Sequence, residues 1–232
     1  MATPLQALEH FFAQLDAAIE RFEEEQPLFR CPAGCAECCQ HMPPFLMSSL
    51  EYELICGWVR THWTEKQQEA VLARARMQAS GYEFSQVTKA EEDPALRDAL
   101  PRYPCPFLGE PAEGAFRCSI YPLRPLACRL YGRTLLTQGP EAGRFNGCDI
   151  LAKQAGLVPG KTVRMHSADS LRQQLLNLCV AVRDRAGVIA FQTLAKFLVE
   201  LGFEWSEENL GLGDGFSGAV FQPEARIERL FL

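Results

Sequence analysis

Cys31-Pro-Ala-Gly-Cys35-Ala-Glu-Cys38-Cys39 packs four thiols into nine residues. Three more cysteines, Cys105, Cys118 and Cys128, fall in a Pro- and Arg-rich segment, and Cys148 follows in Asn-Gly-Cys-Asp. Thiols this dense, in a chain with no sign of export, point to metal ligation rather than to disulfides. Pro27, Pro32, Pro43 and Pro44 bound the first knot and forbid a long helix through it, so the knot reads as loop. Regular structure is therefore expected on either side of the cysteines.

Before the knot, residues 3–25 read as a helix, with Thr3 as its cap and Pro4 in its first turn. Leu5, Leu8, Phe12, Leu15, Ile19 and Phe22 recur at gaps of three and four and make one apolar face. Core packing is the preferred use of that face, because six such residues are too few for a coiled coil. After the knot, Ser48 with Glu51 forms a capping box for a helix to about Trp63. Thr64 with Gln67 opens the next, which ends at Gly81. A short helix is expected over 94–100.

Residues 101–150 carry seven prolines, from Pro101 to Pro140, and read as irregular loop with short helical or strand pieces. From Ser167 the pattern turns helical again, with Leu171, Leu175, Leu178 and Val182 on one face. A second face, after Gly187, carries Leu194, Phe197, Leu198 and Leu201. A short terminal helix is expected from Pro223. The expected fold is mainly α: a single irregular helical domain over 1–232. Its cysteine region, 31–148, is flanked by helices at 3–25 and 167–202, and two cysteine-rich loops meet in space.

Composition narrows the function classes. At 232 residues and 47% hydrophobic the chain can bury a core without crosslinks, so small size does not explain the cysteines. A formal net charge of -6 draws the chain to neither nucleic acid nor an anionic membrane. The N-terminus lacks the basic region of a secretory signal, and no apolar run reaches the roughly 18 residues of a membrane span. A reducing cytoplasm is the expected compartment.

Cys35-x-x-Cys38 has the spacing of a metal knuckle, which lets two thiolates reach one ion. Cys31 adds a third sulfur. Cys39 is the odd member: neighbouring side chains diverge, so Cys38 and Cys39 more naturally reach two metals or two irons of one cluster. Four thiolates complete a closed zinc site or hold a four-iron cluster, and eight could make two such sites. The spacings from Cys105 to Cys148 match neither a zinc ribbon nor a bacterial ferredoxin. Arg117, Arg124, Arg129 and Arg133 lie between Glu113 and Glu141 with no acidic residue among them. They suit an anionic thiolate site, a solvated basic loop or an anionic substrate.

Other candidates are weaker. Cys56 and Cys179 read as buried apolar filler. His41 is the best-placed nitrogen ligand, although a solvated histidine explains it more simply, and His10, His62 and His166 read as surface residues. Asp149 suits a turn or a supporting contact beside Cys148. Gly211-Leu-Gly213-Asp-Gly215-Phe-Ser-Gly218 lacks the strand and lysine of a phosphate loop and reads as a connector. No catalytic residue can be named.

At these cysteines the chain resembles the bacterial YkgJ-type cysteine-cluster proteins, described as zinc- or iron-chelating. That family pairs a C-x2-C-x2-C-C block with a second block of Cys-Pro, Cys-x-Ile-Tyr, Arg-Pro and Cys-Arg elements. Here these are Cys31 to Cys39, then Cys105-Pro, Cys118-Ser-Ile-Tyr, Arg124-Pro and Cys128-Arg. The first gap is three residues instead of two. The resemblance covers about 31–148. It implies binding of Zn2+ or an iron–sulfur cluster of the four-iron type, and it carries an oxidoreductase label. A related block occurs in flagellin lysine methylases.

The sequence thus leads to a cytoplasmic metalloprotein with Cys31, Cys35, Cys38, Cys39, Cys105, Cys118, Cys128 and Cys148 as metal ligands. An iron–sulfur protein with a redox or electron-transfer role comes first. A structural zinc scaffold for protein–protein interaction comes second, and a metal-dependent transferase or maturation factor third. The expected partners are the metal and a protein or redox partner, with no nucleic acid and no membrane.

Overall fold

The computed structural model describes residues 3–32, 34–41, 44–109, 118–135, 145–147, 149–156, 166–167, 170–175, 177, 189–203 and 219–221. The fold is mainly helical. Helix α1 (Pro4–Glu25) starts as expected: Thr3 and Gln6 form a reciprocal capping box, and Pro4 stands in the first turn. Its apolar face is buried at Leu8, Phe12, Leu15 and Ile19, which pack on Leu50, Leu54, Leu126, Leu130 and Phe191. Burying such side chains stabilises by roughly 1.5–3 kcal/mol each.

The Ser48–Glu51 and Thr64–Gln67 capping boxes open α3 (Ser49–His62) and α4 (Glu65–Ala79). Two helices follow, α5 (Phe84–Glu92) and α6 (Pro94–Ala99), of which only the second was expected from sequence. In the Pro-rich stretch a 3-10 turn at Tyr121–Leu123 leads into α7 (Leu126–Leu130), and α8 (Asp149–Gln154) comes later.

Two expectations need correction. The first knot is not all loop: five residues form α2 (Glu37–His41), a helix short enough to end before Pro43 and Pro44. The stretch 167–202 is not continuously helical either. Residues 170–175 are helical, but Ile189–Thr193 is a strand, β5, and only then does α9 (Leu194–Leu201) begin.

Strand β5 lies between β1 (Leu46–Ser48) and β6 (Ala219–Phe221) in an antiparallel sheet, with Leu46 opposite Thr193 and Ile189 opposite Phe221. Its β-branched and aromatic residues fit a central strand. Phe191, Gln192 and Thr193 are all buried, so the alternation that would have marked a half-exposed strand is missing. A second small sheet joins β2 (Thr134–Leu135) to β3 (Phe145–Asn146) and β4 (His166–Ser167).

The main core lies between α3, α4 and α9. Tyr52 stacks on Phe197 at 4.8 Å, and Ile55, Val59, Val71 and Ala75 fill the space around them. Phe107 and Ile120 enter this core from the second cysteine segment, each beside a cysteine-bearing turn. The glycine-rich 211–218 segment and the expected helix from Pro223 lie outside the described residues. Among the described residues, no helix is long and apolar enough to cross a membrane.

Candidate metal centre

The first knot is shaped by one turn and one short helix. The amide of Cys35 donates to the carbonyl of Pro32 at 3.0 Å, and Gly34 holds φ at +74°. That left-handed backbone suits glycine, and it folds Cys31 back beside Cys35 across the three-residue gap. Helix α2 then carries Cys38 and Cys39. Their sulfurs lie 4.0 Å apart. The expectation that neighbouring side chains diverge therefore fails here, because the two thiols turn toward each other on the helix.

The second block is built from turns that open at cysteines. The amide of Leu108 donates to the carbonyl of Cys105, and that of Tyr121 to the carbonyl of Cys118. An antiparallel bridge joins Leu108 to Cys118, and Ser119 donates to the Phe107 carbonyl through both its amide and its hydroxyl. Cys118 thus sits in a narrow ladder, and Cys105 opens the turn that leads into it. Cys128 sits in α7, whose flanking Leu126 and Leu130 are buried against α1.

The two blocks meet. The Cys105 amide donates to the Cys39 carbonyl at 2.6 Å. A cleft lined by Cys38, Cys39, Phe45, Tyr82, Tyr103 and Cys105 runs beside the junction. Cys38, Cys105, Cys118 and Cys128 form a mutual set, since every pair among them is close enough for the charge of one thiolate to oppose ionisation of the other. Cys39 joins Cys38, Cys105 and Cys118, while Cys31 is coupled to Cys35 and Cys38.

Burial is the first cause of the raised thiol values in this set. It pushes Cys105 up to about 12 and raises Cys118 and Cys128. Burial, and then the Cys35 charge, also push Cys31 up to about 12. Cys38 differs: a hydrogen bond from Cys39 brings it down to about 7 against the effect of burial, and Arg133 helps. The same contact drives Cys39 upward, so this pair loses its first proton early and its second late.

Arg133 also lowers Cys31, Arg74 lowers Cys105, and Arg124 lowers Cys118 and Cys128. Arg124, Arg129 and Arg133 form no solvated basic loop. Arg124 and Arg129 are buried and both pair with Asp16, while Arg133 donates to Glu23 at 2.7 Å. Their carboxylates come from α1, so sequence reading of the cysteine segment alone misses them. Arg74 donates to the Pro106 carbonyl from α4 and was missed for the same reason.

As placed, the thiols are gathered but not closed. Among the described residues, no three Cys, His, Asp or Glu side chains form a group able to hold a metal ion. The donor set still fits zinc or iron. Soft sulfur ligands from two loops lie near one another, and basic side chains stand nearby. All described cysteines are free thiols.

Other candidates sort cleanly. Cys56 is fully buried in the main core, where its thiol faces the Gly202 carbonyl at 3.8 Å, as expected of a filler. His41, His10 and His62 are exposed. Cys148, Cys179 and Arg117 lie outside the described residues, as does the side chain of Asp149.

Comparison with known proteins agrees with the chemistry. Residues 30–149 match the CxxCxxCC family, described as "Putative zinc- or iron-chelating domain". No curated protein and no solved structure matched the chain. With a match spanning more than half of its length, and both cysteine blocks inside it, the chain belongs to the CxxCxxCC family of zinc- or iron-chelating domains.

Proposed function

We propose that the chain holds an iron–sulfur cluster and serves a redox or electron-transfer step with a protein partner. The mutual set of Cys38, Cys105, Cys118 and Cys128 carries this reading, because four thiols drawn from both blocks lie within electrostatic reach of one another. Cys39 adjoins that set, Cys31 lies near its Cys38 with Cys35 alongside, and Cys148 completes the proposed ligands. Seven gathered thiols exceed the four that a single zinc ion takes. When bound, such a cluster supplies one-electron transfer.

The chain's own residues prepare the place. Arg133 favours the ionised forms of Cys31 and Cys38, and Arg124 those of Cys118 and Cys128. Phe45, Tyr82 and Tyr103 wall the cleft and limit water at one side of the sulfurs. A reducing cytoplasm fits the free thiols.

A structural zinc site is the second reading. It is favoured by the way the second block inserts Phe107 and Ile120 into one core and Leu126 and Leu130 into the other. A closed site there would fasten both cores for partner binding.

Purification without oxygen, followed by iron, zinc and acid-labile sulfide analysis, decides between them. Brown protein with iron and matching sulfide supports the first reading, and colourless protein with stoichiometric zinc supports the second. Protein with neither metal defeats both. Cys38→Ser, Cys105→Ser, Cys118→Ser and Cys128→Ser should each lose metal while Cys56→Ser keeps it. Equal loss from all five would overturn the ligand set.

A further inference from the structure

The loop between Cys118 and Cys128 is wrapped around one guanidinium. Arg129 donates from Nε to the Arg124 carbonyl at 2.8 Å and from Nη2 to the Pro122 carbonyl at 2.6 Å. Its side chain is 1% exposed. A buried cation needs a counter-charge as well as hydrogen bonds. Asp16 supplies it: Oδ2 accepts from Arg129 Nη1, and Oδ1 accepts from Arg124 Nη2 at 3.2 Å. Phe12, one helical turn earlier on α1, lies under the same guanidinium at 4.2 Å. Arg124 in turn rests on the Tyr121 ring at 4.0 Å and donates to the Tyr121 carbonyl.

The three bonds to the carbonyls of Tyr121, Pro122 and Arg124 fix backbone within the nine residues between Cys118 and Cys128, and none uses a cysteine. One carboxylate therefore closes a loop whose two ends carry thiols of the mutual set. That carboxylate belongs to α1, outside the 30–149 segment that matches the family. Seven residues on, and on the same side of α1, Glu23 takes Arg133 at 2.7 Å and Arg30 at 3.7 Å. Helix α1 thus grips the second block at two points.

We infer that Asp16 is a positioning residue for the metal centre: by locking Arg124 and Arg129 it sets the separation at which Cys118 and Cys128 meet a metal. This rests on the metal-binding reading. Coupling of this kind is reciprocal, so metal uptake must also tighten α1. Residues that orient metal ligands without touching the metal are typically worth 10–100-fold in affinity.

The test is anaerobic titration of the metal-free full chain with Co2+, followed by competition with Zn2+. It compares wild type, Asp16→Asn, Asp16→Glu and the exposed ion-pair control Glu69→Gln. Asp16→Asn should bind Co2+ about 10–100-fold more weakly and change the thiolate-to-cobalt absorption band. Asp16→Glu should recover much of both, and Glu69→Gln should match wild type. Metal loading should slow amide exchange in α1 of wild type but not of Asp16→Asn.

Wild-type affinity and band in Asp16→Asn overturn the inference and leave the metal-binding reading intact, even if that variant melts earlier. Absence of any thiolate–cobalt band in wild type overturns the metal-binding reading, and the inference with it. Should Asp16→Asn fail to fold, Phe12→Leu keeps the carboxylate but removes the ring beneath Arg129. A weaker, altered cobalt site in that variant supports the inference, and an unchanged one defeats it.

Discussion

The amide of Cys105 donates a 2.6 Å hydrogen bond to the carbonyl of Cys39. This bond joins the two cysteine blocks through backbone alone, so the thiols stay free for a ligand. It also holds the blocks together without drawing on any thiol. A charge-neutral main-chain contact needs no thiolate, and nearby Phe107 and Ile120 are already anchored in the main core.

Reactivity should separate the thiols of the metal-free protein. Cys38 is held at about 7, whereas Cys105 is pushed up to about 12. The thiolate is the nucleophile, so iodoacetamide at neutral pH should modify Cys38 first, about tenfold or more ahead of Cys105, Cys118 and Cys128. Peptide mass analysis over a time course reads the order. Arg133→Gln should move the Cys38 rate profile to higher pH.

Metal affinity should climb with pH. Cys105, Cys118 and Cys128 keep their protons in the metal-free protein because burial raises them. Ligation must expel those protons, so affinity should rise about tenfold per pH unit for each proton released. Zn2+ competition between pH 6 and pH 8, with an indicator for released protons, checks the sign and the number.

Glu51 gives a stability signature of its own. It is buried and accepts from the Ser48 amide, the Ser48 hydroxyl and the Leu126 amide. Burial still raises its carboxyl above the ordinary value. The folded chain therefore keeps this proton to higher pH than the unfolded chain does. Its stabilising contribution is full below the unfolded value of about 4.3 and declines as pH rises through the folded one. Glu51→Gln should remove that decline. It should also lose roughly 1–3 kcal/mol at neutral pH, since an amide N–H would face backbone donors. Urea unfolding at several pH values measures both.

Gly132 follows α7 and precedes Arg133. Its φ is +83°, and a Cβ there would lie 2.5 Å from Leu151 Cδ1. Gly132→Ala should destabilise by about 1–2 kcal/mol from the left-handed backbone, with the Leu151 clash in addition. A lower melting temperature by circular dichroism is the expected result.

The sequence by itself determined the helices that are announced locally. Thr3, Ser48 and Thr64 each cap a helix through contacts three residues away, so their starts are legible without any tertiary partner. It also determined the class of chemistry, because four thiols in nine residues restrict the choice wherever they fold. Tertiary structure decided the rest. Strand β5 was hidden because both of its neighbours, and its burial on both faces, come from distant chain. The mutual set of Cys38, Cys105, Cys118 and Cys128 could not be read from spacing, since a main-chain bond and the core-anchored side chains of Phe107 and Ile120 bring the blocks together. Asp16 and Glu23 carried no motif. They matter because a buried guanidinium demands a nearby carboxylate, and only packing of α1 against α7 puts one there.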